Sequence, residues 1–169
     1  LSSTLTTNHG PDMNKLVDEY GNQLLRMCFL YLKDIHLAED AVQDTFIKVY
    51  KNYAQFNGNS QEKTWIMRIA INVCKNYLRK SWWKHINYSV LLENIPCNES
   101  YDIGDDTLLI EIMKLSSKYK EVILLFYYQE MKIREISEVL QVPESTISVR
   151  LARARKVLKQ NLEGWYYEE

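Results

Sequence analysis

Apolar residues recur at helical spacing through most of the chain, and no stretch alternates convincingly as a β-strand. The pattern is clearest in residues 132–162, where two amphipathic segments flank a short turn. Their apolar positions are Ile133, Ile136, Val139, Leu140, Ile147, Leu151, Ala154 and Leu158. Pro143 suits a first helical position, and Glu144 follows where the helix dipole favours a negative charge. Two short helices joined by about three residues predict a helix-turn-helix.

The second helix of this pair has the side chains of a DNA-reading helix. Thr146, Ser148 and Arg150 lie near its N-terminus, where side chains reach base edges in this docking mode. The basic residues that follow are able to meet phosphates: Arg153, Arg155, Lys156 and Lys159. A solvated basic helix is the alternative, but a tight turn beside a basic face favours DNA binding. Gln141 stands where a left-handed position often takes Gly, at a cost of about 1 kcal/mol.

Five further segments have helical periodicity, and Asp34 is placed to cap the second of them. They are residues 15–32, residues 36–53, a segment that opens at Thr64, residues 108–115 and residues 118–128. Periodicity fades between them at residues 87–107, where Pro96 and Gly104 punctuate an acidic stretch. The predicted fold is all-α, with two small helical domains at residues 13–86 and 108–165. A flexible acidic linker (residues 87–107) joins them; it is expected to stay solvated, and the alternative is that it mimics nucleic acid and lies across a binding surface. Residues 1–12 have no helical period and are interpreted as an expression tag or disordered leader.

The formal net charge of −1 hides two opposed blocks of charge. Residues 63–84 contain six basic residues and no acidic one, whereas residues 88–113 contain six acidic residues and neither Lys nor Arg. With 46% apolar and 25% charged residues over 169 positions, the rest of the composition is that of an ordinary soluble protein. The blocks cancel in the total while remaining separate in the chain, so the average does not argue against a nucleic-acid partner.

The pattern of cysteines and histidines predicts neither a metal site nor disulfides. Cys28, Cys74 and Cys97 are odd in number and far apart, and the first two sit in apolar helical patterns, as buried free thiols do. No zinc pattern includes the histidines. With no membrane-length apolar run and no secretory leader, a reducing cytoplasm fits best. We find no phosphate loop, nucleophile motif or cofactor signature, so the sequence does not favour an enzyme.

Two other surfaces carry candidate chemistry. The outer side of the second helix mixes acids and amides with apolar Ile47, and a merely solvated face is the more common explanation. In the third helix, basic and Asn side chains alternate with aromatic ones, which suits single-stranded nucleic acid. A core helix with snorkelling lysines explains that segment equally well.

Three segments in sequence order resemble the extracytoplasmic-function sigma factors of the sigma-70 superfamily. AEDAVQDTFIKVY (residues 38–50) is similar to the family's helix that binds core polymerase. FNGNSQEKTWIMRIAINVCKNYLRK (residues 56–80) is similar to its segment for the −10 promoter element. SSKYKEVILLFYYQEM (residues 116–131), together with the helix-turn-helix, is similar to its −35-reading domain.

The resemblance implies a role for individual residues. Those that match the grip on core polymerase are Asp40, Gln43, Asp44, Phe46 and Ile47. Those that match the −10 surface, including the loop that receives a flipped base, are Phe56, Asn57, Gly58, Asn59, Ser60, Lys63, Trp65, Arg68, Asn72, Lys75, Asn76, Arg79 and Lys80. Those that match the −35-reading helix are Ser145, Thr146, Ser148, Val149, Arg150, Arg153 and Arg155. Ser148 and Val149 depart from the basic or longer polar side chains of many relatives, which implies more reliance on phosphates and DNA shape.

The resemblance therefore implies a promoter-specificity subunit without catalysis, cofactor or small-molecule substrate of its own. Its partners would be promoter DNA, core RNA polymerase (through the β′ clamp helices and the β flap) and an anti-sigma protein, often membrane-anchored. Such a chain would be cytoplasmic, or held at the inner face of the membrane by that partner. The alternative is a helix-turn-helix repressor or activator in which residues 13–86 serve as an effector or dimerisation domain.

Overall fold

The computed structural model describes residues 10–80 and 106–166. Within these residues all assigned secondary structure is helical, and there is no β-strand. We number the α-helices in chain order: α1 (Met13–Leu32), α2 (Ile35–Asn52), α3 (Glu62–Lys80), α4 (Asp106–Lys114), α5 (Ser117–Ile123), α6 (Ile133–Leu140) and α7 (Glu144–Tyr166). A 3-10 turn (Tyr53–Gln55) follows α2, and a π-helical segment (Leu124–Tyr128) continues α5. The predicted all-α class is confirmed.

Aspartate side chains begin the first two helices. Asp12 accepts a hydrogen bond from the Lys15 N–H at 3.2 Å, and Asp34 accepts one from the Leu37 N–H at 3.0 Å. Each bond satisfies an N–H that has no partner within its helix, and such caps typically contribute about 1 kcal/mol. The cap predicted at Asp34 is therefore present, and it fixes the position at which α2 begins.

Helices α1, α2 and α3 pack on one another as the first bundle. Its fully buried side chains include Leu24, Ala41, Val49, Ile66 and Met67. Residues 27–32 at the end of α1 are all buried, although a helix on the surface of a bundle buries only one stripe. The reason is a second neighbour, because α4, α5 and the π-helical segment also pack against α1.

Helices α4 to α7 form the second bundle, in which α7 is the central element. The apolar stripe predicted for α7 is buried and consists of Ile147, Leu151, Ala154 and Leu158. The helix predicted at residues 118–128 is present but changes pitch at Leu124. There the Gln129 N–H bonds to the Leu124 carbonyl at 3.1 Å, five residues back, which widens the turn.

The turn between α6 and α7 has the predicted left-handed residue. Gln141 adopts φ 55° and ψ 44°, and its N–H bonds to the Ser137 carbonyl. The Ser137 hydroxyl donates to the Val142 carbonyl at 2.6 Å, which ties the two sides of the turn together. Pro143 was expected to be the first residue of the second helix, but it lies one position before it. Helix α7 begins at Glu144, and the Pro143 carbonyl accepts the first helical hydrogen bond, from the Ile147 N–H.

The two bundles lie against each other, with α3 packed on α6 and α1 packed on α4 and α5. Residues 81–105, which contain nearly all of the predicted acidic linker, lie outside the described residues. The predicted domain boundaries at residues 86 and 108 therefore stay predictions. The packing of α3 on α6 decides which candidate surfaces remain open.

Candidate protein and nucleic-acid interfaces

The outer face of α2 combines acidic and apolar side chains. Asp40 and Gln43 are exposed, and Ile47 is 50% exposed in the next turn. Tyr50, 62% exposed, continues this row and was not among the predicted contacts, although its spacing from Ile47 places it on the same face. Phe46, one of the residues that match the grip on core polymerase, is only 8% exposed and belongs to the core beneath this face. Exposed aromatic and aliphatic side chains rimmed by polar ones suit a protein partner.

A hydrogen bond joins this face to α3. The Tyr77 hydroxyl donates to Asp44 Oδ2 at 2.7 Å, across the groove between α2 and α3. Burial, followed by this bond and the charge of Asp44, raises the pKa of Tyr77 to about 12, so the phenol stays protonated near neutral pH. Asp44 therefore holds a fixed position relative to α3, which carries the candidate −10 residues.

Three aromatic rings brace the loop between α2 and α3. The Phe56 ring stacks on Trp65 with centroids 5.1 Å apart, and Tyr53 meets the edge of Trp65 at 5.9 Å. The Tyr53 hydroxyl also donates to Glu62 Oε2 at 2.5 Å, so the 3-10 turn is fastened to the first turn of α3. The helical periodicity of residues 36–53 did not predict this bond.

The tip of that loop is polar and open. The Asn59 N–H donates to Asn57 Oδ1 at 3.1 Å in an Asx-type turn, and Gly58 adopts φ 73° between them. All three residues are exposed, while Ser60 is half-buried. Amide groups held on an aromatic base offer both hydrogen bonding and stacking, which are the two interactions that an unstacked nucleobase uses.

The candidate −10 side chains of α3 divide into two groups. Asn72, Arg79 and Lys80 are exposed, and Arg79 donates to Asn76 in the last turns of the helix. The other group faces the second bundle and consists of Lys63, Arg68 and Lys75. The structure therefore presents one part of the predicted −10 surface to solvent and engages another, partly buried part in bonds to the second bundle.

The candidate −35 surface of α7 is open. Ser145, Val149 and Arg153 are exposed, and Thr146 and Arg150 are half-buried beside them. The Ser148 hydroxyl donates to the Glu144 carbonyl at 3.0 Å, so its proton is directed into the helix.

Two residues that were not predicted lie next to this surface. Lys118 and Tyr119 of α5 line an open pocket of about 340 Å³ together with Arg150 and Arg153. The cation of Lys118 lies 5.1 Å from the centre of the Tyr119 ring. The sequence of α5 shows only a pattern of buried positions. The proximity of Lys118 and Tyr119 to α7 therefore results from the fold and could not be predicted from the sequence.

Arg155 lies on the other flank of α7, against the end of α5. Its Nε donates to the Tyr127 hydroxyl at 2.7 Å, and its guanidinium lies 5.4 Å and 5.5 Å from the ring centres of Phe126 and Tyr127. Bonds of this kind hold a cation in one orientation and are able to contribute about 0.5–1 kcal/mol at an exposed site. Arg155 is therefore separated from Arg153 and held at the opposite edge of α7.

The two described cysteines form a buried pair rather than a metal site. Cys28 of α1 and Cys74 of α3 are free thiols with their sulfurs 3.5 Å apart. The hydrogen bond from Cys74 to Cys28, together with burial, raises the pKa of the Cys74 thiol well above its usual range. Among residues 10–80 and 106–166, no group of His, Cys, Asp and Glu is arranged to hold a metal ion. Within the same residues each helix is too short or too polar to cross a bilayer.

Comparisons with known proteins place both bundles in one family. The model for Sigma-70 region 2 matches residues 16–84, and the model for Sigma-70, region 4 matches residues 108–158. The ECF RNA polymerase sigma factor SigW of Bacillus subtilis is 30% identical over 162 residues, which cover 87% of this chain and 87% of SigW. The ECF RNA polymerase sigma-E factor of Haemophilus influenzae is 28% identical and covers 89% of this chain and 87% of its own.

Two solved structures share the fold. CnrH in complex with the cytosolic domain of CnrY matches with a TM-score of 0.71 at 22% identity, covering 90% of this chain and 88% of CnrH. The sigma factor RpoE of Bartonella quintana, in complex with the anti-sigma factor NepR, matches with a TM-score of 0.72 at 21% identity and covers 89% and 98%. With both family models and these relatives in agreement, the chain belongs to the ECF RNA polymerase sigma factors and is an alternative sigma factor for transcription initiation.

Proposed function

We propose that this sigma factor binds core RNA polymerase through the exposed face of α2 and reads promoter DNA through α3 and α7. The observation that carries the proposal is the hydrogen bond from Tyr77 to Asp44. It makes the polymerase-facing acid and the −10 helix parts of one rigid unit, so that docking on the polymerase also sets the position of α3. Because Ile47 and Tyr50 are exposed beside the acids, polymerase contact buries apolar area as well as pairing charge.

At the −10 element, the loop of residues 56–63 receives a base from the opened non-template strand. Extracting a base costs a few kcal/mol of stacking, which an aromatic-braced polar loop and nearby cations offset. Asn72, Asn76, Arg79 and Lys80 hold the strand beyond it. The chain performs no catalysis of its own, because nucleotide chemistry and its metal ions belong to the polymerase.

At the −35 element, the N-terminal half of α7 enters the major groove. Arg150 and Thr146 face the bases, and Arg153 and Arg155 reach phosphates on opposite flanks of the helix. Since the Ser148 hydroxyl bonds to its own helix and Val149 is apolar, the α7 contacts to base edges are few. Shape and phosphate contacts therefore supply much of the binding.

The partner that controls availability is an anti-sigma protein. Support comes from RpoE of Bartonella quintana, which was solved with the anti-sigma factor NepR and shares this fold. The sigma factor then works in the cytoplasm, either free or held at the inner face of the membrane by that protein.

The interface on α2 is tested by the double variant Asp40→Ala/Gln43→Ala. We expect at least a tenfold loss of affinity for core polymerase, about 1.4 kcal/mol or more, with binding to −35 duplex unchanged. The matched control is Asp18→Ala/Asn22→Ala, which removes one acid and one amide from the exposed side of α1. Equal affinity of both double variants for core polymerase, measured by biolayer interferometry, would contradict this assignment.

The competing function is a repressor or activator that binds duplex DNA without polymerase. Such proteins usually bind as dimers at paired half-sites, so sedimentation of the chain with a duplex would give a two-to-one complex. The sigma proposal predicts one chain per promoter and stimulation of run-off transcription by core polymerase. Tight dimeric binding without stimulation would reverse the preference.

A further inference from the structure

Two thiols meet in the core of the first bundle, where α1 packs on α3. Cys28 and Cys74 are fully buried, and their sulfurs lie 3.5 Å apart although the residues are 46 positions apart in the chain. Both are free thiols, and Cys74 donates a hydrogen bond to Cys28. The promoter function proposed above uses neither side chain.

Ordinary core packing explains why the thiols are buried but not why they touch. A free cysteine behaves as a small apolar side chain, which packs equally well against other core residues. The chain has three cysteines among 169 residues, so direct contact between two of them does not follow from composition. The contact places two oxidisable sulfurs side by side.

The distance between the sulfurs suits a disulfide bond better than a metal ion. A disulfide bond is about 2.05 Å long, so the sulfurs would need to approach by about 1.5 Å, through rotation of the side chains and a slight approach of α1 and α3. A structural zinc ion takes about four ligands. Within residues 10–80 and 106–166, no group of three or more His, Cys, Asp and Glu side chains is arranged to hold a metal ion.

We propose that Cys28 and Cys74 form a redox-responsive dithiol, which closes to an intrachain disulfide and fastens α1 to α3. In this reaction both S–H bonds break and one S–S bond forms, so the pair gives up two electrons and two protons. The oxidant is hydrogen peroxide, whose O–O bond breaks to give two water molecules, or a small disulfide, which is reduced to two thiols. Under reducing conditions the pair stays a dithiol.

The position of the dithiol in the core makes it slow to respond. The hydrogen bond to Cys28, together with burial, raises the pKa of the Cys74 thiol, and the thiolate is the form that attacks an oxidant. Both sulfurs are also closed off from solvent. Oxidation therefore waits for local opening of the first bundle, and the disulfide, once formed, is shielded from reductants in the same way.

Closure changes how readily the first bundle unfolds. The bond joins residues 46 positions apart, which lowers the conformational entropy of the unfolded chain. Because both cysteines are fully buried, the exposed side chains of α2 and α7 keep their positions on the surface. Oxidising conditions therefore leave a folded sigma factor that is harder to unfold and to digest.

Peroxide treatment of the full chain tests the closure. The variant Cys97→Ser is used, so that the buried pair supplies both remaining thiols. The folded protein is treated with hydrogen peroxide, unfolded in guanidinium chloride with excess maleimide and analysed by mass spectrometry. We expect a mass lower by two hydrogens, no maleimide on either cysteine, and a proteolytic peptide that joins Cys28 to Cys74. Sulfinic or sulfonic acids without a joined peptide would overturn the proposal.

Thermal unfolding and proteolysis of the oxidised and reduced samples measure the consequence. We expect the oxidised chain to unfold at a temperature at least about 5 °C higher than the reduced chain. Digestion by thermolysin should be at least about threefold slower, since it follows the population of opened chains. A joined peptide without either change would show a disulfide that does not fasten the bundle, and would overturn the proposal.

The matched control is Cys74→Ala in the same Cys97→Ser chain, which keeps Cys28 but cannot form the bond. Peroxide should shift its unfolding temperature by less than about 1 °C. A rise equal to that of the paired chain would assign the stabilisation to oxidation at other residues, which would overturn the proposal. If Cys74→Ala loses its helical circular dichroism, Cys28→Ala replaces it, since that variant removes the other half of the pair.

Discussion

The two candidate DNA-reading surfaces of this sigma factor differ in how the free chain presents them. On α7 the candidate −35 residues face solvent around an open pocket, and Arg155 is already oriented by Tyr127. On α3, Lys63, Arg68 and Lys75 are bonded to the second bundle. The candidate −35 residues are therefore open in the free chain, whereas three of the candidate −10 residues already have partners.

The largest expected effect comes from changing the open surface of α7. Arg150→Ala/Arg153→Ala should lower affinity for a promoter duplex about 30- to 900-fold, because each lost base or phosphate contact costs about 1–2 kcal/mol. In the same free chain, Lys63→Ala/Lys75→Ala should change duplex affinity less than about threefold, because those cations are already bonded to the second bundle. Fluorescence anisotropy measures both. The comparison fails if the α3 pair proves as costly as the α7 pair. Lys48→Ala/Lys51→Ala, two exposed charges on α2, is the control for net charge.

The junction between the bundles should respond to pH through Lys120. This lysine is buried on α5, with its Nζ 5.9 Å from the centre of the Tyr31 ring, and burial followed by the charge of Lys33 lowers its pKa from 10.5 to about 7. Because the folded-state pKa is lowered, the unfolded chain binds more protons between these values and stability rises with pH. From pH 7 to pH 9 we expect Lys120 to add about 1–3 kcal/mol to the free energy of unfolding.

Urea titrations of Lys120→Met at the two pH values measure that contribution. The variant should be more stable than wild type at pH 7 and should lose most of the rise toward pH 9. Lys118→Met, an exposed lysine two residues earlier, should keep the wild-type slope. An unchanged slope in Lys120→Met would show that the lysine is not buried at the junction in solution.

A smaller effect on duplex affinity is expected at Tyr127, which orients Arg155 of α7. Tyr127→Phe removes the hydroxyl that accepts from Arg155 and keeps the ring beneath the guanidinium. Losing that orientation should weaken duplex binding about threefold, within the 0.5–1.5 kcal/mol of an ordinary hydrogen bond. Tyr50→Phe, at the exposed tyrosine of α2, is the matched control. Identical anisotropy curves for Tyr127→Phe and wild type would remove Tyr127 from the account.

The smallest expected effect adds a contact. Val149→Arg places a cation on the outer face of α7, where the residue is exposed. Affinity for duplex should rise about threefold at low salt, and the slope of log K against log salt should steepen by about 0.9, as for one more phosphate contact. A steeper slope with changed sequence preference would instead indicate contact with a base.

Local chemistry could be predicted from the sequence, whereas the docking of the bundles could not. Asp34 caps α2 and Gln141 adopts the left-handed conformation, as expected, because both depend on residues within a few positions. Pro143 differs by one position, since the boundary of α7 depends on which carbonyl accepts the first helical bond.

The partners of Lys63 and Arg68 lie 66 and 70 residues away and are backbone carbonyls, so no side-chain pattern marks them. The amphipathic periodicity of α3 left a core helix and a nucleic-acid surface equally open. In the structure, α3 has a buried apolar face, an exposed polar part and a cationic part that is bonded to the second bundle. The individual contacts to polymerase and DNA remain predictions, which the variants above address.

Mapping transcription starts tests the central claim most directly, that one chain selects promoters by two elements read together. Core RNA polymerase transcribes fragmented genomic DNA of the source organism with and without the wild-type chain, and the 5′ ends are sequenced. We predict starts that depend on the chain and share two upstream elements about 25 base pairs apart, centred near −10 and −35. No chain-dependent start, or starts that share a single element, would contradict the account.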